Sequence, residues 1–311
     1  MKFVTFDTDT GAPRSGWLRE GCVVDMHAVS EGRLPVDLIE FVRNYEGYME
    51  EAGCIDSRLG PDAETMLAHE GVYPASDVTL LAPIPKPPSV RDFYAFEAHV
   101  IAARRRRGLD IMPEWYQFPV FYFSNHQAIV GQDALIRRPA ATSALDYELE
   151  VACVISKEGR DISAEEADSY IFGYCIMNDW SARDLQREEV KVGLGPAKGK
   201  DFATSIGPYL VTKDELERYH AGGRHFLEMA ARVNGVELSR GNMRDLHYTF
   251  GDMIARASAD ATLYPGDIIG SGTVGTGCLL ELGSEVHRWL EPGDVVELEV
   301  TGLGLLRNTV G

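Results

Sequence analysis

Glu148-Leu149-Glu150-Val151-Ala152-Cys153-Val154-Ile155 is the stretch on which the fold turns. From Val151 onward it reads as an apolar strand, the kind buried on both faces. Residues i and i+2 of a strand share a face about 7 Å apart. Glu148 and Glu150 therefore point together, Leu149 faces the opposite layer, and the strand carries both carboxylates toward a protected interior. Two carboxylates about 4 Å apart at an effective dielectric near 20 repel by about 4 kcal/mol, so the pair is costly without a cation. A hard divalent ion is the natural remedy. For an isolated Glu-x-Glu the commoner arrangement leaves one carboxylate in water at a strand end, and the rest of the chain has to decide between the two.

Length and composition set the frame. The chain has 311 residues, 45% of them hydrophobic, enough for a substantial core and for two domains or one large domain with a small attachment. A formal charge of -18 argues against nucleic acid and anionic membranes as partners. Cys22, Cys54, Cys153, Cys175 and Cys278 are odd in number and scattered, mostly among apolar neighbours, which fits reduced core thiols better than disulfides or a thiolate metal site. The start, Met1-Lys2-Phe3-Val4-Thr5-Phe6-Asp7, alternates like a strand and lacks the apolar stretch of a signal peptide. No segment approaches 18 uninterrupted apolar residues, and the expected setting is the cytoplasm.

Ala82-Pro83-Ile84-Pro85-Lys86-Pro87-Pro88 holds four prolines in seven residues, a stiff extended connector that divides residues 1–82 from 83–311. Before it, short strands are expected at Phe3 to Phe6, Val23 to Asp25 and Val78 to Leu81. One helix is expected over Pro35 to Glu51, with Leu38, Phe41, Val42 and Tyr45 on one face. After it, strands are expected at Phe118 to Phe123, Glu148 to Ile155, Ile171 to Met177, Ala230 to Val233, Asp267 to Ile269, Leu279 to Leu282 and Val295 to Val300. The turns Pro265-Gly266-Asp267 and Pro292-Gly293-Asp294 suggest antiparallel pairing. Helices are the minority, at Ala164 to Tyr170 and after Ser181, a plausible N-cap. The fold class is mixed and predominantly β, with a small α/β N-terminal domain.

Two motifs lose their usual meaning in context. Gly270-Ser271-Gly272-Thr273-Val274-Gly275 matches a dinucleotide fingerprint, but a strand pattern follows at Cys278 to Leu282 and no βαβ unit fits. Arg104 to Arg107 precede Gly108 at the end of a helix, where cations suit the dipole and Gly the cap. Elsewhere, Arg91-Asp92-Phe93-Tyr94-Ala95-Phe96-Glu97-Ala98-His99 spaces a carboxylate and an imidazole about two helical turns apart. A lone His99 is more often structural than catalytic. Gly195-Pro196-Ala197-Lys198-Gly199-Lys200-Asp201 is a flexible loop able to hold a lysine over a site, or a solvated surface loop.

Tyr147-Glu148-Leu149-Glu150, Met177-Asn178-Asp179-Trp180-Ser181-Ala182-Arg183-Asp184 and Gly304-Leu305-Leu306-Arg307-Asn308 resemble the fumarylacetoacetate hydrolase family, and the likeness spans nearly all of residues 83–311. The resemblance implies a β-roll catalytic domain, a small barrel-like N-terminal domain, a homodimer and a place in aromatic or tyrosine catabolism. It implies Asp92, Glu148, Glu150 and Asp179 as metal ligands for Mg2+ or Ca2+, with Mn2+ a further candidate. His99 becomes the general base, Glu281 the carboxylate that orients it, and Lys200 a catalytic cation. Tyr94, Tyr122, Arg183, Gln186 and Thr273 become substrate contacts. The family's substrate-binding arginine after the catalytic histidine has no unique match, because Arg104 to Arg107 offer several registers. Asp146 shares the strand face of the two glutamates, as a supporting group or a substitute ligand.

The expected chemistry is hydrolysis of a carbon-carbon bond in a 1,3-diketo acid such as fumarylacetoacetate or an acylpyruvate, by water that His99 activates. A lyase, hydratase or isomerase of the same family, and a non-enzymatic metal-binding protein, are the competing expectations. The last of these gives no reason for His99, Lys200 and Arg183 to occur together.

Overall fold

The computed structural model describes residues 1–106 and 108–311, so Arg107 of the basic run lies outside the described residues. The glutamate stretch becomes a central strand of a twelve-stranded sheet. Its main strands, in chain order, are β1 (Lys2–Asp7), β2 (Arg14–Arg19), β3 (Cys22–Asp25), β4 (Val72–Pro74) and β5 (Val90–Phe93). They continue with β6 (Phe121–Ser124), β7 (Leu149–Ile155), β8 (Ile171–Asp179), β9 (Thr204–Thr212) and β10 (Ile268–Gly270). Side by side they run β4-β3-β2-β1-β9-β8-β7-β10-β5-β6. Neighbours are antiparallel except β10 and β5.

Both faces of β7 are buried, for a reason visible in its alternation. Leu149, Val151, Cys153 and Ile155 share one core with Met229, Ala231 and Leu298 of a second, five-stranded sheet. Ala152 and Val154 share the other core with Phe41, Val42, Cys175 and Met177, beneath the N-terminal helices. A slip of one residue would exchange these sets and turn the glutamates to the wrong layer. The molecule is mixed and mostly β, as its sequence pattern predicts.

Several elements depart from expectation. The sheet path is open, so the N-terminal strands do not close into a barrel, and β1 pairs with β9 across the proline connector. The connector itself carries neither helix nor strand. The helix expected over Pro35 to Glu51 is two, Leu38–Arg43 and Tyr45–Arg58, because Asn44 leaves the helical region at φ -119° and ψ 28°. Ala164 to Tyr170 is a turn leading into a short 3-10 helix, Ala167–Tyr170. Ser181 is not an N-cap: it lies in a two-residue strand and donates to the Asp179 carbonyl at 3.0 Å, while the helix Arg183–Glu189 begins after Ala182. Phe118, Pro119 and Val120 precede the strand expected there, which begins at Phe121. Leu279–Leu282 is one turn of helix rather than a strand, because the Asp146 carboxylate accepts the Leu279 and Leu280 amides at 2.7 and 3.0 Å at its start. Asp92 and His99 do not share a helix; a strand carries the first and the helix Glu97–Arg105 the second.

Candidate active site

Four carboxylates converge where β5, β7 and β8 end. Asp92 comes from β5, Glu148 from the residue just before β7, Glu150 from its second position, and Asp179 from the last position of β8. Each offers an oxygen within 4.8 Å of the others, and all four are buried. β10 lies between β7 and β5 and contributes Gly270 there. A Cβ at Gly270 would stand 2.5 Å from Asp92 Oδ1 and 2.3 Å from Met177 Cε, so only glycine leaves Asp92 its position. Gly270→Ala is expected to weaken divalent-ion affinity about 10- to 100-fold, measured by calorimetry, with the circular dichroism spectrum retained. Unchanged affinity would remove this role from Gly270.

The cluster is over-supplied with negative charge. Lys200 Nζ lies 2.5 Å from both Glu148 Oε2 and Asp179 Oδ2. Arg183 donates to Asp146 Oδ2 and Glu148 Oε1 at 2.8 Å each, and to Gln186 at 3.2 Å. Against the burial that would push it up, Lys200 and Arg183 hold the Glu148 carboxyl below its ordinary range. At Asp92 and Glu150 the balance goes the other way: burial first, then the neighbouring carboxylates, push both well above the usual carboxylate range, for Asp92 against the pull of Lys200, and Asp179 is pushed up by burial as well. Asp92 Oδ1, Glu150 Oε2 and Asp179 Oδ1 are buried without a hydrogen-bond partner. Three orphaned carboxylate oxygens in an all-oxygen set fit a hard divalent cation. Tyr122 closes the set, donating to Asp179 Oδ2 with its hydroxyl 3.0 Å from Asp92 Oδ2. Asp146 is no ligand, since Arg183 and two backbone amides occupy its oxygens.

Beside the carboxylates stands a dyad, His99 Nδ1 to Glu281 Oε1 at 2.5 Å. Glu281 also accepts the Thr276 amide at 2.9 Å, which fixes its orientation, and the Tyr94 ring meets the imidazole edge-on at 5.2 Å. Cys278 comes close to both dyad members, but burial pushes its thiol well up and keeps it a protonated neighbour rather than a ligand.

A cavity of about 340 Å3 opens on all of this. It brings together Asp92, Tyr94, His99, Tyr122, Glu148, Glu150, Arg183, Gln186, Lys200 and Thr273, with Asp179 and Glu281 behind its lining. Thr273 Oγ1 reaches Glu150 at 3.3 Å. None of Arg104, Arg105 and Arg106 lines it; Arg106 instead donates to the Glu281 and Leu282 carbonyls at 3.1 and 2.7 Å. Sequence reasoning missed Gly270 as a space-maker and the apolar wall of Phe93, Val120, Phe121 and Leu280; of the two roles it offered Asp146, the supporting one is what the structure shows. The Gly-x-Gly of residues 270–272 was the available sign, since its glycines serve close packing here.

The family description "Fumarylacetoacetate (FAA) hydrolase C-terminal" matches residues 89–311. The oxaloacetate tautomerase YisK of Bacillus subtilis is 33% identical over 77% of this chain and 75% of its own length. The mitochondrial oxaloacetate tautomerase FAHD2A of Homo sapiens is 29% identical over 93% of this chain and 84% of its own. Among solved structures, a fumarylacetoacetate hydrolase from Exiguobacterium antarcticum superposes with a TM-score of 0.73 at 28% identity, covering 100% of this chain and 99% of that one.

Proposed function

Because the chain belongs to the fumarylacetoacetate hydrolase family of enzymes, we propose that it is a metal-dependent hydrolase that cleaves a carbon-carbon bond in a 1,3-diketo acid. The observation that supports this best is the His99–Glu281 dyad lining the same cavity as the carboxylate cluster. A divalent ion on Asp92, Glu148, Glu150 and Asp179, Mg2+ or Ca2+ with Mn2+ as a further candidate, would supply Lewis acidity toward the substrate's carbonyl. Glu281 holds His99 Nδ1, so the other ring nitrogen is left to take a proton from water. The hydroxide adds to the distal carbonyl carbon, and the bond from that carbon to the central methylene breaks. Its electron pair stays on the methylene carbon, which then takes a proton, leaving two acids. Lys200, Gln186 and Arg183 line the cavity as donors to the developing oxyanion and to the substrate carboxylate.

A second reading is keto-enol tautomerisation of oxaloacetate, favoured by the name of relatives that align over most of this chain. It needs proton transfer at the carbon beside the carbonyl and no water. Fumarylacetoacetate, a set of acylpyruvates and oxaloacetate, each assayed with Mg2+ by diketone or enol absorbance and product identification, separate the two. Two product acids from one diketo acid support hydrolysis; interconverted oxaloacetate alone supports the tautomerase. Turnover of none above buffer overturns both.

A further inference from the structure

We propose that Glu189 is a positioning residue that clamps the 195–201 loop and thereby seats Lys200 on the carboxylate cluster. Arg183, Gln186 and Glu189 recur every three residues on the helix Arg183–Glu189, so each neighbours the next and the row winds from the cavity side toward the loop. The first two enter the cavity; the third meets the loop. Glu189 Oε2 accepts the Ala197 and Gly199 amides at 3.0 and 3.1 Å, and Oε1 accepts the Lys198 amide at 2.6 Å. Three consecutive backbone donors converge on one carboxylate, immediately before Lys200.

The rest of the loop explains why such a clamp matters. Gly199 lies so close to the helix that a Cβ would meet Gln186 Cβ at 2.8 Å, and its carbonyl accepts the Ala182 amide at 2.8 Å. Asn125 adds one bond to the Asp201 carbonyl at 2.9 Å. On the approach to the loop, Val192 and Leu194 are 78% and 76% exposed, so burial contributes little anchoring there. Gly195 and Pro196 nonetheless line the cavity, and Lys200 is buried with its ammonium paired to the cluster carboxylates Glu148 and Asp179. A side-chain anchor supplies what burial does not. Only the catalytic consequence rests on the function proposed above; the clamp is a statement about geometry.

The test compares Glu189→Ala, Glu189→Gln and Glu189→Asp with Glu188→Gln, whose parent carboxylate pairs with Lys191 at the surface. Hydrogen exchange at the amides of residues 197–199 reads the clamp. Acylation of Lys200, followed by mass spectrometry, reads its seating. In Glu189→Ala both are expected to rise about tenfold or more, as loss of charge-assisted hydrogen bonds implies. Glu189→Asp is expected to recover part of the protection, and Glu188→Gln to match wild type. If a substrate is found, kcat of Glu189→Ala falls about tenfold with KM changed less than about threefold. Unchanged exchange and unchanged Lys200 labelling in Glu189→Ala overturn the clamp, whether or not the protein is a hydrolase. Faster exchange with Lys200 still protected overturns the positioning role.

Discussion

His99→Ala is expected to lose at least about 100-fold in kcat on whichever substrate turns over, the usual range for a general base being about 10²- to 10⁴-fold. The same variant should bind divalent metal with wild-type affinity by calorimetry, because all four carboxylates that would hold the ion lie outside the dyad. Glu281→Gln should fall less, since Gln can still accept from Nδ1 through its carbonyl but gives up the charge that favours the protonated ring. The separation of chemistry from metal binding is the discriminating part. A protein that only stored metal would lose neither property in His99→Ala, and a wild-type kcat in that variant would remove His99 from the mechanism.

Glu150→Gln should move stability and metal binding in opposite directions. In the metal-free protein Glu150 is buried with one oxygen unpartnered, and burial and its neighbours oppose its charge. The amide keeps the shape, removes a charge from the cluster and can donate to the orphaned Asp92 Oδ1. A gain of about 1–3 kcal/mol in metal-free stability is expected, less than the Coulomb figure because burial already disfavours the charged form. That corresponds to a rise of a few degrees in Tm in the presence of EDTA, on the order of 2–4 °C per kcal/mol. The metal-dependent rise in Tm expected of wild type should vanish in this variant, with affinity down at least about 100-fold as ligand charge falls. Two results would sink the idea: a lower Tm in EDTA than wild type, or a metal-dependent rise that survives. The opposition has a familiar logic, since a site built to grip an ion is strained without it.

The legible parts of this protein were those with a local physical signature. β7 and Val295–Val300 announced themselves through apolar runs bounded by turns, and the proline connector through its composition. The carboxylate pair could be read from strand periodicity, but its partners Asp92 and Asp179 could not, because their convergence depends on pairings distant in sequence. The resemblance of motifs, not spacing, suggested those. Leu279–Leu282 was misread for an instructive reason: four residues with three leucines look like a strand, and only a buried carboxylate from residue 146 coils them. The break at Asn44 was hidden because the apolar spacing runs on through Tyr45. Glu189 carried no readable sign at all, since an exposed-looking glutamate at a helix end is ordinary until the loop amides are seen around it.

The placing of the four carboxylates also fixes the order of events in the molecule's formation. They sit on or directly beside three strands, and β10, which lies far along the chain, stands between β5 and β7. No short segment can present more than the Glu148 and Glu150 pair to an ion before the sheet exists. Association with the cation is therefore expected of the finished chain rather than of its nucleation, and until then the two hydrophobic layers, with Lys200 and Arg183 as counter-charges, must hold the repelling groups together.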